Sequence, residues 1–318
     1  MAHLDDVFFE LDLPPERPFQ VVSLGMNAVD WICRLPVYPP HNSKIKLDEL
    51  LKLGGGPAAT AGALCGRWGL GTKYVGRVGD DDVGRFSLAD LRSEPMDCSD
   101  VEVIEGADSQ LAVILVDRPS GERTVLWQRD PRLDYHPGQL RPQQITCGQV
   151  LHMDGNELPA RAEAARWAQA AGMPVCLDID RPGPGDRELL QSVDFALPTE
   201  AFVKRFASTD DWREGLMAVK DACPGWVGCT RGRQGVAVAW ENRIVEVPSF
   251  DIRPLESTGA GDVFHGAFVY SLFQSGWSLR RKLRFSCAAG ALSCTRVGAR
   301  GGIPPLQEVL QLLEDNSG

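Results

Sequence analysis

The 318-residue chain lacks several features that would assign a function directly. Its nine cysteines form no CxxC pair, and its five histidines form neither an HExxH motif nor a cluster with cysteine. A zinc hydrolase is therefore not supported, and we expect reduced, buried thiols. No apolar run approaches the roughly 18 residues that cross a bilayer, and residues 1–6 are acidic where a secretory signal would be basic. We expect a cytoplasmic protein.

Basic residues are also scarce relative to acidic ones. Lysine and arginine total 33 against 43 aspartates and glutamates, which gives a formal net charge of −10. This balance argues against a nucleic-acid partner and against an anionic membrane surface. Two nucleotide-binding signatures are missing as well. Without GxxxxGK[ST] a phosphate site is not of the Walker type, and without GxGxxG at the first helix dinucleotide binding is only weakly supported.

Strand-like and helix-like segments alternate along most of the chain. The run 19–24 ends at Gly25 like a buried strand, and Pro57 predicts the start of a helix that reaches Trp68. Further strands are predicted at 72–78, 150–153, 174–179, 194–197 and 226–229, and further helices at 83–93, 160–171, 211–222, 263–275, 279–297 and 306–313. This rhythm predicts an α/β fold with a mostly parallel sheet and helices on both faces.

Two stretches break this rhythm. Residues 28–53 show strand-like alternation interrupted by prolines, and residues 111–116 and 123–127 form a predicted hairpin around the turn 118–121. No predicted helix separates these strands from their neighbours. Because such strands do not belong to the parallel sheet, we expect a separate small layer.

The sharpest local signal is the string 257–262 (STGAGD), which leads directly into an apolar helix. Small residues allow consecutive backbone N–H groups to point at one anion, and the positive end of the helix dipole adds to them. Phosphate is the natural ligand of such a loop. Because an aspartate would repel phosphate, Asp262 makes sense as the base that deprotonates an attacking hydroxyl. The alternative is an ordinary helix start with Asp262 in its first turn.

Two other segments are candidate binding elements. Residues 229–235 (CTRGRQG) lie between a predicted strand and the predicted hairpin 236–247, where glycines either allow close approach of a flat or phosphate-bearing ligand or form a plain turn. Asp30 follows the first strand and the cluster 54–56 (GGG) precedes the first helix, at the positions where open α/β sheets bind ligands. Asp30 would accept hydrogen bonds from vicinal sugar hydroxyls, or it is a solvated turn residue.

Together these strings resemble the ribokinase-like sugar kinases, the PfkB carbohydrate kinase family. The resemblance runs from about Phe19 to Pro304. Its anchors are the glycine cluster with its helix (54–63) and 258–262 (TGAGD), and 75–84 (VGRVGDDDVG) is similar to the family's early strand-to-helix turn. Several strings, at 54–61, 259–267 and 294–304, are most similar to the sulfofructose kinase branch.

The resemblance implies a ribokinase-like three-layer αβα fold formed by residues 1–318 as one domain, with a small β-sheet lid at about 30–53 and 109–127. It also implies transfer of the γ-phosphoryl group of ATP to a sugar hydroxyl, with Mg²⁺. By resemblance, Asp262 is the catalytic base. The other implied site residues are Gly259, Ala260 and Gly261 as the anion hole, Asp30, Gly54, Gly55 and Gly56 for the sugar, and Thr230, Gly232, Gly235 and Thr258 for the nucleotide.

Three positions depart from the family's common pattern. Ala59 stands where the glycine-cluster helix usually carries a sugar-binding asparagine. Glu256 replaces the aspartate that usually precedes the anion loop, which leaves activation by a monovalent cation open. Residues 199–202 (TEAF) stand where an asparagine-x-x-glutamate motif usually helps to organise magnesium, with Phe202 in place of the glutamate, so the metal ligands are unassigned.

We expect the substrate to be a ketose or a modified ketohexose. The turn after Asp154 offers Gly155 and Asn156, with no arginine or lysine to pair with a sulfonate or phosphate. A neutral keto-sugar and an anionic one both remain open, because the lid contains Arg123, Arg129 and Arg132.

Two other functions are alternatives. A nucleoside kinase of the same fold would need an apolar slot for the base, which Trp31 and Trp127 would provide. A non-catalytic sugar or nucleotide sensor would not need a base beside the γ-phosphate, so the intact Asp262 argues against it.

The lid segments also predict self-association. Residues 45–53 and 111–116 carry more apolar surface than a small solvent-facing sheet covers alone, so we expect a homodimer joined lid to lid. Ile114→Asp is then expected to separate the subunits. Sequence alone leaves open which of the alternating side chains face the partner, because a shift of one residue swaps the faces.

Overall fold

The structure is a computed structural model that describes residues 4, 7–8, 11–120, 122–155 and 159–316. Most of the acidic opening segment lies outside the described residues. So do two positions named above, Gly121 in the hairpin turn and Asn156 after Asp154. Within the described part of the chain, no helix is both long and apolar enough to span a membrane.

The elements follow the predicted alternation closely. The strands are β1 Val21–Leu24, β2 Ala28–Leu35, β3 Glu49–Gly55, β4 Thr72–Val75, β5 Arg77–Gly79, β6 Glu102–Ile104, β7 Leu111–Asp117, β8 Arg123–Gln128, β9 Val150–Asp154, β10 Val175–Asp178, β11 Phe195–Ala196, β12 Trp226–Thr230, β13 Val236–Trp240 and β14 Arg243–Val247. The helices are α1 Pro57–Arg67, α2 Asp82–Ser93, α3 Pro142–Ile145, α4 Arg161–Ala170, α5 Asp186–Leu190, α6 Glu200–Ala207, α7 Trp212–Ala222, α8 Ala260–Leu272, α9 Leu279–Ser293, α10 Ala299–Gly302 and α11 Leu306–Asp315.

The central sheet has the strand order β14-β13-β12-β11-β10-β9-β1-β4 among the described residues. Pairings from β4 across to β12 are parallel, and β13 and β14 are antiparallel at one edge. Successive residues of a central strand pack into the hydrophobic clusters on opposite faces of the sheet. Val22 packs in a cluster with α4 to α7, whereas its neighbour Val21 packs in a cluster with α1, α8 and α9. This is the predicted three-layer αβα architecture.

Two predicted elements need corrected bounds, and helix α6 was not predicted. The predicted strand 72–78 is divided, because β4 pairs with β1 in the central sheet whereas β5 pairs with β6 in a separate two-stranded sheet. The predicted helix 279–297 begins as expected behind Ser278, whose hydroxyl accepts a hydrogen bond from Arg281 N, but it ends at Ser293. The sequence analysis also missed α6, whose start is marked by the Thr199 hydroxyl accepting from Phe202 N.

The two irregular stretches contribute to a second sheet, the small sheet, with the order β3-β2-β7-β8. The pairing of β2 with β7 is parallel, and the pairings of β2 with β3 and of β7 with β8 are antiparallel. Its inner face, formed by the alternating positions that include Ile32 and Ile114, packs against Val297. Its outer face, formed by the intervening positions, includes Trp31, Leu50 and Leu126, which are all exposed.

The position of Ile114 corrects the expected test of dimerisation. Ile114 is only 3% exposed and packs on the inner face with Ile32, Ala112 and Val116. An aspartate there would disrupt the packing of the small sheet itself. Substitution of Ile114 therefore does not report on a lid-to-lid contact, and the outer face is the place to test it.

Candidate active site

Asp154 is a buried aspartate that the sequence analysis did not place in the site. It lies where the carboxyl ends of parallel strands meet the start of α1. Asp154 ends β9, and its Oδ2 accepts hydrogen bonds from Met26 N at 2.7 Å and from Ala58 N at 3.1 Å. Burial is the main cause that raises the pKa of Asp154 to about 7. The carboxyl group thereby fixes the loop after β1 against the first turn of α1. Its position directly after an apolar strand was the available sequence signal.

Asp262 lies in the first turn of α8 and is half-buried. Burial raises the pKa of Asp262 to about 7, and the negative charges of Asp178 and Asp30 act in the same direction. His265 and Arg123 oppose this increase. Such a carboxyl group is a stronger base than an ordinary aspartate and still titrates near neutral pH.

The predicted anion loop, 257–262, turns tightly at its first glycine, and within it Ala260 N donates to Ser257 O at 3.3 Å. Gly259 has φ 77°, and a Cβ there would lie 2.5 Å from Ala299 Cα, so only glycine fits. A Cβ at Gly261 would meet no atom within 4 Å among the described residues, and no side-chain hydrogen bond caps the start of α8. The hydroxyl of Thr258 is buried without a hydrogen-bond partner in the described part of the chain. These groups fit a phosphate-bearing ligand.

Glu256, which precedes the anion loop, connects it to another part of the fold. Its side chain is buried, and Oε1 accepts a hydrogen bond from Gly298 N at 2.6 Å. The other oxygen, Oε2, lies 3.9 Å from Nη2 of Arg34 on the inner face of the small sheet. The glutamate that replaces the expected aspartate is therefore used at least in part for contacts within the protein.

The glycine cluster before α1 leaves space for charged side chains. A Cβ at Gly55 would lie 2.1 Å from Asp30 Oδ2, and a Cβ at Gly54 would lie 2.0 Å from Asp90 Oδ2. Gly56 has φ 94°, and its Cβ would lie 2.6 Å from Asn27 Cα. The three glycines therefore allow β3 to approach the loop after β1 and the Asp30 carboxylate, which β2 carries on its inner face.

Arg300 is a buried residue of this region that the sequence analysis missed. Its Nη1 donates to Gly55 O at 2.8 Å and to Asn27 Oδ1 at 3.2 Å, and its Nε donates to Asp90 Oδ2 at 2.8 Å. The positive charge of Arg300 partly opposes the effect of burial, which raises the pKa of Asp30 to about 6. Arg300 therefore holds the glycine cluster and keeps Asp30 more acidic than burial alone would.

A cleft of about 670 Å³ opens between the small sheet and the loops at the carboxyl ends of the central strands. Asp30 and Gln110 contribute polar groups to it, and Trp127 contributes an aromatic wall from β8. From the loop after β10, the guanidinium of Arg181 lies 5.5 Å from the centre of the Trp127 ring. The volume suits a small organic molecule, and Asp30 connects this cleft with the charged groups around Asp262.

Three of the four predicted nucleotide-binding residues, Thr230, Gly232 and Gly235, lie together at the turn from β12 to β13, whereas Thr258 lies in the anion loop. Gly232 is exposed, has φ 54° and would leave space around a Cβ, whereas a Cβ at Gly235 would lie 2.1 Å from Val247 O. Gly235 is therefore required by the hairpin itself. Thr230 ends β12 and is half-buried, and the adjacent Arg231 is bound to Glu246 at 2.7 Å. The turn presents an open surface at Gly232.

The residues at the expected magnesium-organising positions do not form a metal-binding cluster of their own. Within the described ranges, no group of three or more histidine, cysteine or acidic residues is gathered to hold a metal ion. Phe202 is fully buried and stacks on Phe206, so this position has no metal-binding role. Glu200, in the same turn, is paired with Lys204 at 2.7 Å. Mg²⁺ commonly keeps several waters and binds substrate phosphates with few protein ligands.

The sequence pattern of the pfkB family carbohydrate kinases matches residues 20–305. The chain belongs to the pfkB family of carbohydrate kinases. This pfkB kinase is 28% identical to fructokinase-1 of Zea mays over 322 aligned residues, which cover 92% of this chain and 97% of that protein. It is 27% identical to the ribokinase of Bacillus subtilis (strain 168), with coverage of 92% and 99%.

A solved structure supports the fold. The structure of Arabidopsis thaliana ribokinase complexed with ribose and ATP superimposes with a TM-score of 0.77 at 23% identity, covering 93% of this pfkB kinase and 99% of that chain. The predicted ribokinase-like fold and the predicted activity class, an ATP-dependent sugar kinase, are confirmed. The relatives named for sugars do not favour the alternatives of a nucleoside kinase or a non-catalytic sensor.

Proposed function

We propose that this pfkB kinase phosphorylates a neutral ketohexose, with ATP as the donor and Mg²⁺ as the metal. The observation that carries the proposal is the position of Asp262, which belongs to the anion loop and is close enough to Asp30 for their charges to interact. A base between phosphate-binding amides and a carboxylate that binds hydroxyls is the arrangement that phosphoryl transfer to an alcohol requires.

Asp262 is the proposed general base. It accepts the proton of the attacking sugar hydroxyl while that oxygen forms its bond to the γ-phosphorus. Its pKa of about 7 means that a substantial fraction is ionised at neutral pH and that the ionised form is a competent base. The amides of Gly259, Ala260 and Gly261 are proposed to hold the oxygens of the transferred group, where negative charge is concentrated, with the Ala260 amide giving up its 3.3 Å bond to Ser257 O.

Two separate elements are proposed to bind ATP, the phosphoryl donor. The buried Thr258 hydroxyl and the exposed Gly232 turn are proposed to contact the nucleotide, together with Thr230 and Gly235 as neighbours in that turn. When bound, Mg²⁺ supplies neutralisation of phosphate charge. The chain contributes position rather than a metal cage, because the anion loop orients the phosphates toward Asp262.

Asp30 is the proposed sugar-binding residue, with Gly54, Gly55 and Gly56 leaving space beside it. The pKa of Asp30 is about 6, so its carboxylate is mostly ionised at neutral pH and accepts hydrogen bonds from two vicinal hydroxyls. Burial makes these bonds stronger than they would be in water. Asp30 thereby fixes the attacking hydroxyl relative to Asp262, which in-line transfer requires.

A neutral substrate is supported by the partners of two arginines in the segment after the small sheet, whereas Arg123, on β8 itself, donates to the Ser257 hydroxyl. Arg129 donates to Asp134 Oδ1 at 2.8 Å, and Arg132 is bound to Asp130 at 2.5 Å. Both charges are thus already balanced within the protein. The aromatic wall at Trp127 suits the C–H face of a sugar ring, and the relative from Zea mays is named for a ketohexose. We therefore favour a neutral ketohexose over a sulfonated one.

The small sheet is proposed to act as a lid and to join two subunits. Trp31, Leu50 and Leu126 on its outer face are 36%, 50% and 55% exposed. Apolar side chains on a sheet face favour pairing with the same face of a second copy, around a two-fold axis. Such pairing would support the inner face that carries Asp30.

A panel of substrates tests the proposal. Thermal unfolding would be followed with fructose, ribose, fructose 6-phosphate and adenosine, each with a non-hydrolysable ATP analogue and Mg²⁺, alongside phosphate transfer from ATP. We expect fructose or a related neutral ketose to raise the Tm and to be phosphorylated, and Asp30→Asn to remove both effects. Phosphorylation of fructose 6-phosphate or adenosine in preference to every neutral sugar would contradict the proposal.

A further inference from the structure

Gln110 is a buried residue of the cleft whose side-chain oxygen lacks a hydrogen-bond partner in the described part of the chain. It is only 6% exposed and lines the cleft together with Asp30. Among the described residues, its side-chain nitrogen donates no hydrogen bond either. A buried polar atom without a partner costs free energy, so native proteins rarely keep one unless something else satisfies it. Gln110 is therefore a candidate for binding a ligand.

The segment around Gln110 is held by other groups. Gln110 O accepts a hydrogen bond from Val29 N at 3.0 Å, which ties the segment to β2. The hydroxyl of the preceding residue, Ser109, accepts from Gly79 N at 2.8 Å and donates to Asp81 Oδ1 at 2.6 Å. These bonds use the backbone of Gln110 and the side chain of Ser109. None of them depends on the Gln110 amide.

Gln110 and Asp30 lie on the same face of the small sheet. Asp30 is the register partner of Ala112 on β7, and Gln110 precedes Ala112 by two residues. Because alternate residues of an extended chain point to one face, Gln110 and Ala112 share the inner face with Asp30. A strand spacing of about 4.8 Å and a rise of about 3.3 Å per residue place the backbones at Gln110 and Asp30 about 8 Å apart. Ala112 also lines the cleft and is small, so one sugar ring reaches both polar side chains.

The charges of the cleft lining favour a neutral molecule. The acidic and basic lining residues are Asp30, Asp134, Asp180 and Glu188 against Arg161 and Arg181. Because carboxylates outnumber guanidiniums, the lining disfavours a phosphate or sulfonate group. The uncharged amide of Gln110 adds no positive charge. It accepts hydrogen bonds from hydroxyl groups and donates hydrogen bonds to them, which suits a neutral sugar.

We propose that Gln110 is a specificity-determining residue of the sugar site, whose amide forms hydrogen bonds with a second hydroxyl of the sugar that Asp30 binds. The inference rests on the proposed function, in which the sugar lies in this cleft at Asp30. Bound sugar supplies the partner that the buried Oε1 lacks within the protein. A sugar without that hydroxyl leaves the amide unsatisfied, and a polar pocket rejects close analogues for this reason.

Gln110→Met is expected to change stability and sugar affinity in different directions. Methionine is of similar length and removes the unsatisfied oxygen, so the Tm of the free protein is expected to stay the same or to rise. Isothermal titration calorimetry with a non-hydrolysable ATP analogue and Mg²⁺ measures the Kd of fructose, which is expected to increase by about 5-fold or more. The Kd of the ATP analogue is expected to change little.

Gln144 provides the matched control. It is also buried, at 2% exposed, but it is not part of the cleft lining, and its Oε1 accepts a hydrogen bond from Arg141 N at 2.9 Å at the start of α3. Gln144→Met removes this bond, so a lower Tm and an unchanged fructose Kd are expected. The two substitutions are chemically identical. The difference between their effects therefore reports the position of Gln110 in the cleft.

Monodeoxy analogues of fructose test the hydrogen bond itself. For the analogue that lacks the hydroxyl bound by Gln110, the wild type and Gln110→Met are expected to have similar Kd values, because the partner of the amide is missing in both complexes. For the other analogues, the difference of about 5-fold is expected to remain. A general disturbance of the cleft would affect all analogues alike, so this comparison separates binding from a structural role.

The outcomes distinguish the inference from the proposed function. An unchanged fructose Kd in Gln110→Met, an equal increase in Gln144→Met, or one ratio of Kd values for fructose and every analogue would overturn the role of Gln110. A fructose Kd that Asp30→Asn leaves unchanged would contradict the proposed sugar site instead. Ribose bound in place of fructose, with the same dependence on Gln110, would contradict the ketohexose and support Gln110. If Gln110→Met does not fold, Gln110→Ala adds no atoms and decides the same comparison.

Discussion

Arg123 Nη1 donates a hydrogen bond to Ser257 Oγ over 2.6 Å, which joins strand β8 of the small sheet directly to the anion loop. The two residues are 134 positions apart in the chain. The same guanidinium lowers the pKa of both Asp30 and Asp262. Arg123 therefore acts on the proposed sugar-binding residue Asp30, on the proposed base Asp262 and on the anion loop. Because the contact is exposed, it contributes little to stability and is easily exchanged for a phosphate oxygen.

The first prediction concerns Arg123. Arg123→Ala is expected to lower kcat by about 10-fold or more, because a positive charge beside the transferred phosphoryl group is lost. Arg123→Lys keeps the charge without the planar guanidinium and is expected to recover part of the lost kcat. Steady-state kinetics with saturating sugar and ATP measure this. The control is Arg118→Ala, in the same hairpin but paired with Asp48 away from the anion loop. A kcat within twofold of the wild type would remove Arg123 from the reaction.

The second prediction concerns the base. Asp262→Asn is expected to keep nucleotide and sugar binding nearly intact and to lower kcat by about 10²-fold or more, because asparagine keeps the shape without the basicity. In the wild type, kcat/KM is expected to rise with pH through about 7, since burial raises the pKa of Asp262 to about 7 and only the ionised form accepts a proton. Turnover within a few-fold of the wild type would exclude this role.

The third prediction concerns Asp30. Asp30→Ala is expected to raise the sugar KM and also to lower kcat, because a misplaced hydroxyl attacks out of line. The KM for ATP is expected to change little and serves as the internal control. Steady-state kinetics with each substrate varied in turn separate these constants. An unchanged sugar KM in a folded variant would contradict the assignment.

The fourth prediction compares two glycines. A Cβ at Gly55 would lie 2.1 Å from Asp30 Oδ2, so Gly55→Ala must displace the carboxylate and is expected to raise the sugar KM as Asp30→Ala does. A Cβ at Gly301 would meet no described atom within 4 Å, so Gly301→Ala is the matched control and is expected to keep the sugar KM. Equal sugar KM values in the two variants would show that the cluster has no part in sugar binding.

The fifth prediction concerns assembly. Leu126→Asp, on the outer face of the small sheet, is expected to convert a homodimer into monomers and to weaken sugar affinity, because the lid loses its support. Light scattering at micromolar concentration measures the mass. Val103→Asp is the control, since Val103 is 52% exposed on β6 outside the small sheet. A monomeric wild type, or a dimer that Leu126→Asp leaves intact, would refute the lid-to-lid contact.

Much of the architecture was determined by local patterns. The alternation of apolar residues predicted the central strands, and Pro57 and Ser278 marked helix starts because backbone conformation and capping depend on neighbouring residues only. The anion loop was readable for the same reason, since its amides and Asp262 are consecutive. The glycine cluster was recognisable from its unusual composition, but the sequence did not show which side chains pack against it.

Contacts between distant segments were decided by the tertiary structure. Alternation predicts that a strand has two faces, but strand pairing determines which neighbour each face meets, so Ile114 was wrongly expected at the subunit contact. The same limit applies to the charged groups. Gly54 must be small because Arg300 and Asp90 lie against it, and the pKa of Asp262 is raised by charges from other strands. Electrostatic and steric effects act through space, and the order of residues along the chain does not contain those distances until the sheets are assembled.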